Sequence, residues 1–317
     1  MVKKAKTSVL YKVVIVTGAS SGIGEATARE FGRCGARVVL AARRVERLEQ
    51  YAEEINAAGG TALAVPTDLT DHDQIANLVQ ATLQAFGRID VLANIAGWGR
   101  YDWYEELSAE DLRQQYEVNV LGLAELTRQV LPVMKAQRLG HIIMMSSYAS
   151  KIATPPLTVY ASTKYAVEGL ADGLRREVAP WGIYVSRVHP SGVKGTEFNQ
   201  KAGRHGGIRF RSAPIGKVSR EHVARELVKL VERPRRAVFT SRLYDIPVIL
   251  NLLFPELIDN IMAIWVRRMR RQEGKGTRLR QATPARYRDS FSLLKLAALA
   301  VGAVTMGRAV TRSRQKR

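Results

Sequence analysis

The sequence predicts an α/β fold built on a parallel sheet of about seven strands. Three observations carry that prediction. Short apolar runs alternate with longer amphipathic stretches along most of the chain. The runs are unbroken Val, Ile, Leu and Ala, as expected of strands that helices cover on both faces. A glycine-rich turn stands between the first run and the first amphipathic stretch.

In chain order, the first strand is expected over Lys12–Thr17, and the glycine turn then opens a helix over Gly22–Cys34. A strand over Arg37–Ala42 follows, then a helix over Arg44–Ala58 and a strand over Ala62–Pro66. The helix over Asp71–Phe86 leads to a fourth strand, Ile89–Asn94. The longest amphipathic stretch, Ala109–Lys135, reads as one helix before the strand His141–Ser146. A helix over Val159–Ala179 precedes the strand Tyr184–His189, and a helix over Glu221–Glu232 precedes the last strand, Ala237–Thr240. No internal repeat is apparent.

Residues 1–242 thus form one expected domain and residues 243–317 a basic, partly apolar helical extension. In the extension, Leu243–Val266 is apolar but broken by Pro247 and Pro255. After Pro255, Leu257, Ile258, Ile261, Met262 and Trp265 fall on one helical face, with Asp259 and Asn260 opposite. A second apolar run, Phe291–Gly307, contains Lys295 and is at the lower length limit for crossing a bilayer.

Composition narrows the function. The 317 residues are 46% hydrophobic and 25% charged, the balance of a globular protein rather than a disordered one. The single cysteine, Cys34, rules out an internal disulfide framework and cysteine-rich metal centres, and fits a reducing, cytoplasmic compartment. The five histidines (His72, His141, His189, His205, His222) lack short metal-ligand spacing, so no metal is expected. The initial apolar run, Val13–Val16, is too short for a signal-peptide core, so no secretory signal is expected. The net charge of +20 is concentrated at the carboxy terminus, where Arg267–Arg317 holds 15 Lys/Arg against 2 Asp/Glu. Such a segment seeks polyanions, and peripheral attachment to an anionic membrane is one expectation for it. Packing on the enzyme or on a second subunit is the alternative. Nucleic-acid binding ranks low, because regular aromatic interleaving is missing.

The glycine turn, Thr17-Gly18-Ala19-Ser20-Ser21-Gly22-Ile23-Gly24, suits a dinucleotide. Gly18 permits the turn, Gly22 lets the backbone approach a phosphate, and Gly24 lets the helix pack on the sheet. The free amides of the helix start favour a pyrophosphate. An acid accepting the ribose 2′-OH is expected about 20 residues further on. Here the second strand ends in Arg43 and Arg44, so NADP(H) is favoured over NAD(H).

Chemistry points to Tyr160-Ala161-Ser162-Thr163-Lys164. Positions i and i+4 share a helical face, so the Lys164 ammonium is expected to depress the Tyr160 pKa toward neutrality. Ser147 ends a strand, Asn119 is a polar amide in a helical stretch, and Asn94-Ile95-Ala96-Gly97 ends another strand. Ligands of open α/β sheets bind at those carboxyl ends.

With these marks assembled, the chain resembles the short-chain dehydrogenase/reductase family. The shared motifs are TGASSGIG (17–24), Asp68-Leu69, NIAG (94–97), Asn119, Ser147 and YASTK (160–164), spanning about residues 10–240. The resemblance implies a Rossmann-type doubly wound sheet and hydride transfer between NADP(H) and a carbonyl or alcohol. By that resemblance Tyr160 is the acid/base, Lys164 binds the nicotinamide ribose and depresses the Tyr160 pKa, and Ser147 bonds the substrate oxygen. Asn119 holds a helix irregularity and a relay water. Ser20, Ser21, Ile23 and Ala96 belong to the cofactor motifs, Asp68 and Leu69 flank the adenine, and Asn94 and Gly97 support the cofactor. Arg43 falls where a base marks NADP preference. The family's Pro-Gly-x-x-x-Thr is one residue longer here, Pro190–Thr196, with Thr196 expected near the carboxamide. A homo-oligomer is implied as well.

The aromatic loop Trp98–Tyr104 and the long loop Lys194–Pro214 are expected to shape a site for a lipophilic ketone or aldehyde. The rival function is a non-catalytic nucleotide sensor or scaffold on the same fold.

Overall fold

The computed structural model describes residues 9–198 and 216–272. They divide into two compact units between Ile246 and Pro247.

The first unit is a doubly wound, Rossmann-type sheet. Its strands are β1 (Val13–Thr17), β2 (Arg37–Ala42), β3 (Thr61–Pro66), β4 (Val91–Asn94), β5 (Gly140–Met145), β6 (Ile183–His189) and, last, β9 (Ala237–Phe239). All pairings are parallel, in the order β3-β2-β1-β4-β5-β6-β9. Two short segments, β7 (Val193–Lys194) and β8 (Val218–Ser219), form a separate parallel pair. The sequence did not signal them, because two residues carry no period.

Helices α1 (Gly22–Arg33), α2 (Val45–Ala57), α3 (His72–Phe86), α4 (Ala109–Tyr116), α5 (Leu123–Gln137), α6 (Thr158–Val178) and α7 (Arg220–Glu232) cover the sheet. Strands β1, β4 and β5 are buried along their whole length, which explains their continuous apolar composition. Two apolar clusters result, one per face. Phe31, Leu48 and Leu227 belong to one, and Ile75, Leu126 and Val167 to the other.

The stretch expected as one helix over Ala109–Lys135 is interrupted. Residues Glu117–Gly122 form a π-helical turn between α4 and α5. A widened turn changes which residue faces inward, and Asn119 is the polar residue at its centre. The fourth strand starts at Val91 rather than Ile89, because Arg88 and Asp90 form a bonded corner before it: Asp90 also accepts from Val13 N at 2.9 Å.

The second unit contains most of α8 (Asp245–Leu253) and all of α9 (Pro255–Gln272). The expected helix after Pro255 is α9, whereas α8 precedes it despite Pro247, which sits in its first turn, where no amide bond is lost. The run Phe291–Gly307, the basic tail and most of the loop Lys194–Pro214 lie outside the described residues.

Candidate active site

The sheet order reverses at β1: β2 lies on one side and β4 on the other. Helices leave the two strands toward opposite faces there, and a crevice opens at their carboxyl ends. The Thr17 hydroxyl bridges it, donating to Ala93 O at 3.3 Å and accepting from the amides of Ile95 (2.9 Å) and Ala96 (3.0 Å). The glycine turn and Asn94–Gly97 are thereby held together.

Gly18 has a φ of +67°, a left-handed conformation that a side chain disfavours. A Cβ on Gly24 would lie 2.2 Å from Gly18 O, so only glycine lets α1 start against the turn. Ser21 is the N-cap residue of α1 and makes no side-chain cap bond. The opening amides of α1 therefore remain available to an anion. Thr196 faces this turn, with its Cγ2 3.3 Å from a Cβ placed on Gly22.

The two arginines after β2 part company. Arg43 is 75% exposed and pairs loosely with Asp68 at 3.7 Å. Arg44 instead turns into the phosphate turn. Its Nε donates to Ser20 Oγ at 3.1 Å, its Nη2 to Ser20 O at 3.0 Å, and its Nη1 to Glu197 at 3.1 Å. Asp68 also accepts from Thr70, and Leu69 packs against Gly122 at the start of α5. Asn94 donates to Thr127 Oγ1 at 3.0 Å, and its buried Oδ1 has no partner. An orphaned acceptor, a turn that excludes a side chain at Gly18 and Gly24, and uncapped helix amides together fit a bound dinucleotide.

The four residues singled out for chemistry converge on this crevice. Asn119 is fully buried in the π turn. Its Oδ1 accepts from Trp98 N at 3.0 Å, and its Nδ2 donates to Trp98 O at 2.8 Å and Thr163 Oγ1 at 3.1 Å. One amide thus joins the loop after β4 to α6. Lys164 Nζ donates to Met145 O at 3.0 Å and lies 3.3 Å from a Cβ placed on Gly97. The same nitrogen stands 5.6 Å from the centre of the Tyr160 ring. Ser147 begins the loop after β5, and its Oγ accepts from Ala149 N at 3.1 Å.

The electrostatics correct the simple pair argument. Burial pushes the Tyr160 phenol up to about 12, while the Ser147 hydroxyl bonded to it works in the opposite direction. Burial also pulls the Lys164 ammonium down to about 8. Desolvation sets the direction of both shifts, opposite to the depression of Tyr160 that i, i+4 spacing predicts.

The aromatic loop is only partly a wall of the site. Tyr101 and Trp103 are buried and Tyr104 is exposed. Tyr101 joins Leu157, Tyr160 and Phe198 in a small apolar cluster, with the Tyr160 and Phe198 rings 5.3 Å apart. Phe198 was not singled out from the sequence, and neither was Glu168.

Glu168 lies one turn beyond Lys164 on α6 and is 8% exposed. It accepts from Lys151 at 2.6 Å, Arg187 at 2.7 Å and His189 at 2.7 Å. Burial alone would raise this carboxyl, but the bonds from His189 and Lys151 hold it well below the usual carboxylate range. Its partners end β6 and follow Ser147, so one carboxylate pins three segments that carry site residues. Among the described residues no His/Cys/Asp/Glu group has the arrangement of a metal centre.

Such a crevice can hold a dinucleotide against a phenol and a hydroxyl that share one substrate oxygen. Residues 12–206 match the family described as short chain dehydrogenase. Dehydrogenase/reductase SDR family member 7B of Danio rerio is 34% identical, over 83% of this chain and 87% of its own. A short-chain dehydrogenase/reductase from Burkholderia phymatum, solved with NAD, is 28% identical with a TM-score of 0.72, over 79% of this chain and 96% of its own. L-Sorbose reductase from Gluconobacter frateurii, solved with NADPH and L-sorbose, is 27% identical with a TM-score of 0.67, over 74% of this chain and 96% of its own. The match over most of the Rossmann unit leaves one assignment: this chain belongs to the short-chain dehydrogenase/reductase family of oxidoreductases.

Proposed function

We propose that the protein interconverts a lipophilic ketone or aldehyde and its alcohol, with NADP(H) as cofactor and Tyr160 as the acid/base. The observation that carries this reading is the convergence of Tyr160, Lys164, Ser147 and Asn119 on the glycine-turn crevice. A sensor or scaffold needs none of those four side chains.

When bound, the cofactor supplies or takes the hydride. Gly18, Ser20, Ser21, Gly22, Ile23 and Gly24 would hold its phosphates, Asp68 and Leu69 its adenine, and Asn94, Ala96, Gly97, Lys164 and Thr196 its nicotinamide half. The Arg44 fork at Ser20 and the exposed Arg43 beside Asp68 favour a 2′-phosphate, which supports NADP(H). The NADPH-bound sorbose reductase fits this preference, and the NAD-bound Burkholderia enzyme marks what the test must separate.

A phenol held near 12 is protonated at neutral pH, as reduction requires of an acid. Tyr160 gives its proton to the substrate oxygen while Ser147 donates a hydrogen bond to the same oxygen. The Lys164 ammonium and the Ser147 hydroxyl then stabilise the phenolate left behind. Asn119 fixes the π turn and Thr163, and with them the water through which Tyr160 regains its proton. Oxidation uses the same groups in reverse. Tyr101, Leu157 and Phe198 give the site an apolar side.

Residues 1–242 carry this activity as a homo-oligomer, in our reading in the cytoplasm, with residues 243–317 as an extension that reaches an anionic membrane. The direct test is Tyr160→Phe, assayed with a carbonyl panel and NADPH or NADH by absorbance of the reduced cofactor. Turnover should be nearly abolished while NADPH binding, read by fluorescence, survives. Unchanged turnover rejects the assignment.

A further inference from the structure

Helices α8 and α9 meet at Phe254 with a bend of 112° between the segments Arg242–Leu253 and Pro255–Arg271. Neither described helix is long and apolar enough to cross a membrane alone. Their composition is nonetheless unusual for a soluble surface. Ile246, Ile249 and Leu252 on α8 are exposed, Leu252 at 73%, and Phe254 at the bend is exposed too. On α9 the exposed apolar residues are Leu257, Ile261 and Ile264. Their i, i+4, i+7 spacing is a single helical stripe. Large exposed apolar side chains aligned on one helical face mark a contact surface rather than a random scatter.

Charge selects the contact. Between Asp245 and Val266 there is no lysine or arginine, and then Arg267, Arg268, Arg270 and Arg271 close α9. By helical rotation Arg268 continues the Leu257–Ile264 stripe, and Arg271 flanks it. An apolar stripe running into cationic side chains complements one thing above others: hydrocarbon roofed by anionic head groups. A second copy packed in parallel on the stripe would bring arginines against arginines, and an antiparallel one would leave most of the four arginines without a matching acid. Long arginine stems can lay their methylenes on the apolar layer while the guanidinium reaches lipid phosphate.

We propose that α8 and α9 form a bent interfacial anchor that lies in, and does not cross, the surface of an anionic bilayer. Glu256 and Asp259, off the Leu257–Ile264 stripe of α9, argue against spanning, because each would sit in hydrocarbon. The bend at Phe254 lets both apolar faces enter the same leaflet. This inference rests on the membrane contact proposed above and is independent of the reaction.

The test uses the full chain and preformed vesicles of either pure phosphatidylcholine or phosphatidylcholine with phosphatidylglycerol, read by co-sedimentation. The protein should bind the anionic vesicles and leave the neutral ones largely free. The triple substitution Leu257→Glu, Ile261→Glu and Ile264→Glu should lower the partition coefficient by roughly tenfold or more. Neutralising Arg267, Arg268, Arg270 and Arg271 to Gln should remove the preference for anionic lipid while leaving residual binding. A far-ultraviolet circular dichroism spectrum and a melting midpoint matching the parent show that either variant is folded. Binding unchanged by the triple substitution overturns the anchor and leaves attachment to the rest of the basic segment. Absence of binding by the parent chain overturns both. If the triple substitution instead halves the solution mass without affecting vesicle binding, the stripe is a contact between copies and the anchor is wrong.

Discussion

Glu168→Ala is the most revealing perturbation of the scaffold beneath the site. The carboxylate is buried and accepts from Lys151, Arg187 and His189 within 2.6 to 2.7 Å. Removing one partner of a buried ion pair costs about 3–5 kcal/mol, since a charge is left in low dielectric without its counter-ion. Two features place this site toward the lower figure. Arg187 keeps Asp172 at 3.2 Å, and the Lys151 side chain is 27% exposed and can turn to water. A loss of about 3 kcal/mol lowers the midpoint of a domain this size by roughly 6–12 °C. Glu168→Gln keeps the shape and one acceptor and should lose about half as much. The assay is chemical denaturation at constant m-value, with thermal melting alongside. Because the folded carboxyl titrates below its unfolded value, its contribution is present above the unfolded pKa and fades as pH falls through the folded one. The gap between parent and Glu168→Ala should therefore be full at neutral pH and narrow below roughly pH 4. A Glu168→Ala protein with the parent midpoint at pH 7 would refute the reasoning.

Other outcomes follow from the site. Arg44→Ala should raise the KM for NADPH by roughly tenfold or more with little change for NADH, because its guanidinium at Ser20 is the fork proposed for the 2′-phosphate that NADH lacks; Arg43→Ala, at 75% exposure, should do less. Equal effects on both cofactors, measured by steady-state kinetics, would remove Arg44 from the 2′-phosphate. Reductive kcat/KM should fall as pH rises through about 8, where the Lys164 ammonium loses its proton, and Lys164→Arg should shift that limb upward at reduced rate. A flat profile from pH 7 to 9 would detach Lys164 from the chemistry.

How far the sequence reached depends on the range of the forces involved. Strands β1, β4 and β5 were legible because a buried parallel strand writes itself as an unbroken apolar run. The glycine turn was legible because its spacing is dictated by backbone geometry. The π turn was not legible in the periodicity, since a one-residue widening leaves no trace in Ala109–Gln137; only the family resemblance pointed to an irregularity at Asn119. Which arginine faces the phosphate turn depends on where β2 stops, and it stops at Ala42, so that Arg44 caps α2 and turns inward. The direction of the Tyr160 shift differs from what the spacing predicts for a related reason. Spacing reports a neighbour, whereas burial is a property of the whole fold. Glu168 was invisible because its partners are 17, 19 and 21 positions away. A carboxylate set in the apolar register of Val159–Ala171 was the one available hint.

The pairing of β1 with both β2 and β4 has a consequence for synthesis. While the ribosome is still making residues before Val91, β1 already carries an apolar run, Val13–Val16, whose far edge has no neighbour. A nascent chain or proteolytic fragment halted there exposes a sticky hydrogen-bonding edge and should aggregate. The crevice itself draws on Thr17, Ala96, Asn119, Ser147, Lys164 and Thr196, so no amino-terminal fragment inherits a diminished version of the activity. It arrives all at once, when the last of those segments has docked.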